Sequence, residues 1–443
     1  MTTPQKSAPE LSAPAPYDPR PKSAVSGWTG VMGLLGLGAW TAVARQYGME
    51  GPLAALSALL ACGVPMVAWA LLVDKVHRSP TTGIDWEGPP RPLKDSLDIS
   101  IAKIAGLWGI WAIIGGLYCI ARFYWDGGYL FAMQVLGVAI IPMLVLSIPY
   151  VLWLDRRLKE PRDGAWHFGQ LLIGRGDLAD RTELAHFFRA WAVKGFFTAF
   201  MISIVPGNWW DAISGDSAII VSNPVELAFW LIKVMFMVDV TFATVGYVLT
   251  MKPLDAHIRT ANPHAAGWTA ALLCYPPFIL MGDGGPLDYH IGTSDWAYWL
   301  ADYPLVQALI GGWLVFLTGV YAWATVAFGF RFSNLTHRGV LTNGPYAWTK
   351  HPAYMSKNLF WWFGVLPFLA TTGSIVDMIR NTAVLAMVSG VYYWRAKTEE
   401  QHLGTDPAYR DYAAWMDRNG PIPKLINRLK PRWSRPPAPV AAE

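Results

Sequence analysis

His351, Tyr354, Arg395, Glu399 and Glu400 are the residues of this chain whose types and spacing can do chemistry together. They fall in two separated stretches. The first reads Gly339-Val-Leu-Thr-Asn-Gly-Pro-Tyr-Ala-Trp-Thr-Lys-His-Pro-Ala-Tyr354. The second reads Tyr392-Tyr-Trp-Arg-Ala-Lys-Thr-Glu-Glu-Gln-His-Leu403 and runs on into Asp406-Pro-Ala-Tyr409-Arg-Asp-Tyr412 and then Gly420-Pro-Ile-Pro423. Asn343-Gly344-Pro345 and His351-Pro352 are turn signals that break a helix and expose polar side chains. Helical spacing puts Arg395 and Glu399 one turn apart on a single face, with Glu400 beside them. Carboxylates take an amine or ribose hydroxyls, and a His or backbone amides take a carboxylate, so the set suits a zwitterionic cofactor. Singly, each residue has a plainer use: a His-Pro turn, a solvated Glu pair, a Tyr anchored at a membrane surface.

The elements that must bring these stretches together are apolar. Of 443 residues 53% are hydrophobic and only 15% charged, and 24 are tryptophan, more apolar surface than a soluble core needs. A bilayer needs it, since lipid-facing positions must be apolar and Trp and Tyr gather at the headgroups. A spanning helix takes about 20 such residues. Ten candidates follow, near 25–44, 52–73, 104–121, 129–154, 187–206, 227–250, 267–281, 305–328, 357–372 and 378–394. The seventh and ninth are short, and the last two form a hairpin across 371–377. The expected fold class is therefore all-α, a polytopic integral membrane protein of about ten transmembrane helices. It divides into an N-terminal region, 25–266, with about six spans and no chemical motif, and a C-terminal module, 267–430, containing the hairpin. Residues 1–24 and 431–443, rich in Pro and Ala, read as disordered tails, and the first lacks the pattern of a signal peptide.

Charge tests the arrangement independently. Lys and Arg crowd into 74–103, 155–189, 251–266, 329–357 and the C-terminal region, whereas the 207–226 and 282–304 loops have none. This one-sided distribution places both termini in the cytosol. Short loops and the lack of a retrieval signal favour a bacterial inner membrane over an organelle. Cys62, Cys119 and Cys274 lie in apolar stretches without a CxxC, so no metal site and no disulfide framework is expected. Two ionisable residues fall inside the sixth span, Lys233 and Asp239; their spacing argues against an intrahelical pair, and Asp239 is the stronger candidate for a role.

The two chemical stretches closely resemble the isoprenylcysteine carboxyl methyltransferase family and its relatives among phospholipid N-methyltransferases. That family's signature is Gly-x-Tyr-x-x-x-Arg-His-Pro-x-Tyr, a membrane hairpin, then Arg-x-x-x-Glu-Glu-x-x-Leu and a Tyr-x-x-Tyr stretch ending near a Pro. Here Gly344, Tyr346, His351, Pro352, Tyr354, Arg395, Glu399, Glu400, Leu403, Tyr409 and Tyr412 occupy those positions, over about 331–425. The resemblance implies an S-adenosylmethionine site at the cytosolic face, with Tyr346, Lys350, His351, Pro352, Tyr354, Glu399 and Glu400 binding the cofactor. His351, Arg395, Glu399 and Glu400 are the implied catalytic residues. It also implies that a lipid or lipophilic small molecule enters from the bilayer. The family Arg before His-Pro is Lys350 here, which keeps the charge but loses the bidentate fork, and a common small Gly is Ser356.

Methyl transfer to a membrane-borne acceptor is the reading that follows, with prenylcysteine carboxylate, lipid amine and thiol all open as acceptors. An amine acceptor must lose a proton, for which Glu399, Glu400 or His351 are candidates. An NADPH-dependent reductase resembling the sterol reductases is the alternative, because those proteins have about ten spans and a related C-terminal module. A non-enzymatic transporter or receptor is the third possibility, supported only by Asp239. No nucleic-acid partner is expected.

Overall fold

A computed structural model describes residues 18, 20–422, 424 and 425; of the expected tails, 1–17, 19 and 431–443 lie outside the described residues. The helices in chain order are α1 Gly27–Tyr47, α2 Pro52–Leu72, α3 Leu93–Ala121, α4 Leu130–Asp155, α5 Gly164–Leu172, α6 Arg181–Ile213 and α7 Ser217–Ser222. They continue with α8 Pro224–Val248, α9 Ala265–Leu272, α10 Trp296–Trp299, α11 Pro304–Phe328, α12 Pro352–Val365, α13 Ile375–Leu403 and α14 Pro407–Asn419. Starts are written locally: Asn223, Ser374 and Asp406 each cap a helix by accepting a backbone N–H with a side-chain oxygen. The only strands among the described residues, β1 Thr260–Ala261 and β2 Thr336–His337, pair antiparallel in a short ribbon with Thr260 opposite His337.

Eight of these helices are long and apolar enough to cross a membrane: α1, α2, α3, α4, α6, α8, α11 and α13. The expected ten helical spans are corrected by the two short candidates. Where the sequence predicts a span over 267–281, α9 has 8 residues and stops at Leu272. Pro276 and Pro277 cannot continue it, having no N–H to donate. The chain goes on instead as an irregular strap beside α13. Its Tyr275 ring faces Arg395, and further along Arg380 and Asn381 of α13 donate to the carbonyls of Asp288 and Ile291, both at 2.7 Å. Arg380 and Arg395 stand roughly 22 Å apart along the helix, so the strap travels most of a bilayer's depth without helical hydrogen bonds. Non-helical backbone is tolerated at such depth only against protein, and α13 is that protein. The ninth candidate becomes α12, 14 residues long, which ends where Leu366 turns left-handed ahead of Pro367.

The N-terminal region and the C-terminal module do not separate. Leu37 of α1, Met66 of α2, Trp209 of α6, Phe242 of α8 and Val326 of α11 belong to one buried cluster. Residues 21–24, expected in the tail, lie against the C-terminal module: Ala24 N donates to Val340 O at 2.9 Å and Thr342 Oγ1 to Pro21 O at 3.1 Å.

One side chain ties the ends of α8 and α11 together. Arg338 is 4% exposed, and its guanidinium donates to the carbonyls of Gly246 and Phe332 at 2.9 Å, Phe330 at 3.1 Å, and Ala256. Helix C-termini leave carbonyls without partners and carry partial negative charge, and a buried planar cation answers both. Beside it Arg331 bonds Asp255 at 2.8 Å and the Arg338 carbonyl at 3.2 Å. The close approach of α8 to this knot needs Gly246, where a Cβ would fall 2.7 Å from the Phe332 carbonyl oxygen. Arg338→Met strands several buried carbonyls at about 1–3 kcal/mol each. Thermal unfolding in detergent is expected to show Arg338→Met unfolded or lowered by far more than Lys233→Met, whose ammonium is half exposed and 3.9 Å from Asp211.

Candidate functional site

The Arg331–Leu341 segment leaves that knot and forms one wall of a cavity; α11, α12, α13, α14, the loop before α12 and Tyr275 of the strap form the rest. Gly344, in left-handed backbone under Trp323, starts the turn Gly344–Ala347 that carries Tyr346 into the wall. His351 then ends the loop and Pro352 opens α12, where its missing N–H costs nothing. Residues 366–374 return the chain, and α13 brings Arg395 and Glu399 to the same cavity. Tyr412 of α14 closes the outside by donating to the Tyr346 carbonyl at 2.7 Å. The cavity is partly open to solvent.

Of the residues singled out from sequence, Tyr346, Lys350, His351, Pro352, Tyr354, Arg395 and Glu399 all line this cavity. Glu400 does not. Its carboxylate is occupied by Lys350 Nζ and His351 Nε2, each at 2.9 Å, and by Lys397 Nζ at 2.8 Å. Lys350 is shared with Asp417, also at 2.9 Å. Burial alone would lower the Lys350 ammonium, but Asp417 and Glu400 outweigh it and hold the group above its ordinary value. Glu400 therefore staples the His351 loop to α13, with His351 stacked on Tyr354, the ring centroids 5.6 Å apart.

Glu399, one residue on, is free by comparison. Its side chain is 38% exposed, and the nearest cationic candidate is His351 Nδ1 at 4.0 Å. Arg395, 7% exposed, donates to Asn334 Oδ1 and stands over the rings of Tyr275, Tyr354 and Tyr392 at 5.3–5.9 Å. Among the described residues no carboxylate pairs with Arg395. Burial, with Glu399 nearby, drives the Tyr346 phenol well above its ordinary range, so it remains a hydroxyl at neutral pH. Chemically, the cavity offers a guanidinium and a carboxylate one helical turn apart, set among aromatic faces.

Further wall residues carry no motif in the sequence. Asn334 orients Arg395 and is itself held by Tyr247 and Tyr275 through hydrogen bonds of 2.8–3.1 Å. Lys357, Tyr321 and Thr325 line the inner end. Sequence gives only one hint of that end: Asp239, the acid inside an apolar helix, accepts from Tyr321 OH at 3.0 Å and from Thr325 Oγ1.

Residues 304–416 match a family described as "Protein of unknown function (DUF1295)". The match runs from α11 into α14 and so takes in His351, Arg395 and Glu399, but leaves Asp239, Tyr275 and the Arg338-bound end of α8 outside. No curated protein and no solved structure matches the chain.

The two neighbouring glutamates are expected to part ways on mutation. Glu400→Gln removes a charge shared by Lys350 and His351 and should lower the unfolding midpoint, by about 1–3 kcal/mol in stability. Glu399→Gln should leave the midpoint unchanged. Intrinsic-fluorescence melting of the detergent-solubilised variants reads both, and equal midpoints contradict the division of labour.

Proposed function

We propose that this protein is a membrane-embedded methyltransferase that draws on S-adenosylmethionine to methylate a lipophilic acceptor. One observation carries the reading. Arg395 and Glu399 lie one turn apart on α13, both face the cavity, and among the described residues neither is committed to a partner of opposite charge at salt-bridge distance except for the long approach of His351. A free guanidinium and a free carboxylate at that separation suit the carboxylate and ammonium of an amino-acid group.

The donor set fits the rest of such a cofactor. Tyr346, Tyr354 and Phe328 present aromatic faces that favour a positively charged group or an adenine ring. Tyr346 adds a hydroxyl donor. When bound, the cofactor supplies a methyl group already activated on sulfur. The protein's own part is to fix that group, hold the acceptor in line with it and keep water out. Arg395 is fixed for this work by Asn334 and by the three rings around it. His351 is fixed by Glu400. α11, α12 and α13 expose large apolar side chains, Phe316, Leu359 and Met387 among them, which suits entry of the acceptor from lipid.

A reductase using NADPH draws support from the positive residues of the wall, Arg331, Arg338, Lys350, Lys357 and Arg395, against a single carboxylate, Glu399. Most of that charge is spent. Arg331 serves Asp255, Lys350 serves Glu400 and Asp417, and Arg338 serves carbonyls. Little remains for a phosphate.

Calorimetry on the purified protein is expected to show S-adenosylhomocysteine binding in the micromolar range, about −8 kcal/mol. Glu399→Gln should weaken it roughly ten- to a hundredfold, the loss of a charge-assisted hydrogen bond of about 1.5–3 kcal/mol. Binding of NADPH with no response to S-adenosylhomocysteine would assign the cavity to the reductase instead.

A further inference from the structure

The inner end of the cavity holds chemistry that a cofactor clamp does not use. Asp239 is 8% exposed, and both its oxygens are taken by hydroxyls, Tyr321 OH at 3.0 Å and Thr325 Oγ1. Tyr321 and Thr325 themselves line the cavity, so the carboxylate stands directly behind its wall. Facing them is Lys357 of α12. Its ammonium lies 5.4 Å from the Tyr321 ring, 5.3 Å from Trp361 and 5.7 Å from Tyr392. Among the described residues Lys357 has no carboxylate partner. The phenol of Tyr321 is thus flanked by an acid on its hydroxyl and a cation over its ring. Because Tyr321 donates its proton to Asp239, the lone pairs of its oxygen are left for a ligand.

The charges select the ligand's class. Lys357 and Asp239 together sum to zero in a region enclosed by apolar helices, where an uncompensated charge is expensive. A cationic amine would leave an excess of positive charge against Lys357, and a carboxylate an excess of negative charge beside Asp239. A neutral hydroxyl leaves neither. It can donate to the Tyr321 oxygen and accept from Lys357. Phe328, Phe332 and Tyr392 complete the wall and call for an aromatic or otherwise apolar body.

We propose that this inner end is the acceptor subsite, that the acceptor is a lipophilic phenol, and that Tyr321 takes its proton while passing its own to Asp239. The inference rests on the methyltransferase reading and names the acceptor within it. The step balances. The phenol oxygen forms the new O–CH3 bond, the S–CH3 bond of the methyl donor breaks and its electron pair stays on sulfur. The acceptor's proton moves to Tyr321 oxygen as the Tyr321 proton moves to Asp239. The first transfer, between two phenols, is close to neutral in free energy; the second, from Tyr321 to the Asp239 carboxylate, is uphill and is drawn forward because methyl transfer consumes the phenolate. Tyr321 touches the acceptor and is the catalytic residue; Asp239 acts through it and is a positioning residue.

The test uses full-length protein in lipid nanodiscs and three probes with the same tail: 4-nonylphenol, 4-nonylbenzoic acid and 4-nonylbenzylamine. Calorimetry is expected to rank the phenol at least tenfold tighter than the other two. Tyr321→Phe, which keeps the ring and its packing, should cost the phenol at least tenfold while S-adenosylhomocysteine affinity stays within twofold. With the methyl donor present, Asp239→Asn should move the pH for half-maximal phenol methylation upward, a shift that loss of packing alone does not produce. Tighter binding of the acid or the amine, or unchanged phenol binding by Tyr321→Phe, overturns the subsite. Should the parent bind the phenol with the expected ranking but not S-adenosylhomocysteine, the cofactor reading falls and the subsite stands.

Discussion

The guanidinium of Arg338 is the interaction on which the rest depends. α8 and α11 both end in carbonyls with no helical partner, and burying such groups unpaired is costly. A single flat cation reaches the carbonyls of Gly246, Ala256, Phe330 and Phe332 at once. That fixes the end of α8 relative to the end of α11, and with it the start of the segment that walls the cavity. Arg331 extends the knot to Asp255, and Arg259 approaches the same carboxylate at 3.6 Å. The β1–β2 ribbon runs off this knot, so the cavity's floor rests on this capping together with the apolar packing of Phe330, Phe332 and Leu335.

Above the floor the charges divide into two kinds. Lys350, His351, Glu400 and Asp417 pair with one another and hold α12, α13 and α14 in place. Arg395 and Lys357 are held in position by neutral groups and aromatic rings instead, and Glu399 is left free by comparison. A charge fixed by rings and amides keeps its field for whatever arrives, at the expense of stability that an ion pair would have added. Groups prepared this way give up little on binding, because their orientation is already set.

Much of this was legible in the sequence, and the remainder shows where linear reading fails. Apolar runs of full length appear as helices, since about 20 apolar residues leave a membrane segment few alternatives. Over 267–281 the composition is right and the geometry is not: Pro276-Pro277 ends the helix, and a window average cannot see that α13 will shelter the exposed backbone. The gathering of His351, Tyr354, Arg395 and Glu399 follows from a hairpin that must return its chain to the same face. The distinction between Glu399 and Glu400 does not follow, because adjacent residues on a helix point about 100° apart and only the neighbours decide which is free. Spacing did argue that Lys233 and Asp239 are not a pair, and Lys233 reaches towards Asp211 on α6. Arg338, Asn334 and Lys357 were invisible for a plain reason. Arg338 depends on Gly246 and Ala256, Asn334 on Tyr247 and Tyr275, and Lys357 on Tyr321 and Tyr392, partners distant in sequence that no pattern of spacing announces.

The most direct measurement is a structure of the protein in nanodiscs with S-adenosylhomocysteine added. The amino-acid end of the ligand should lie between Arg395 and Glu399, with the Asn334 contact to Arg395 retained and the His351–Glu400 pair unbroken. A ligand bound elsewhere, or one that reaches the cavity only after displacing Glu400 from His351, would contradict the assignment of Arg395 and Glu399 as the clamp.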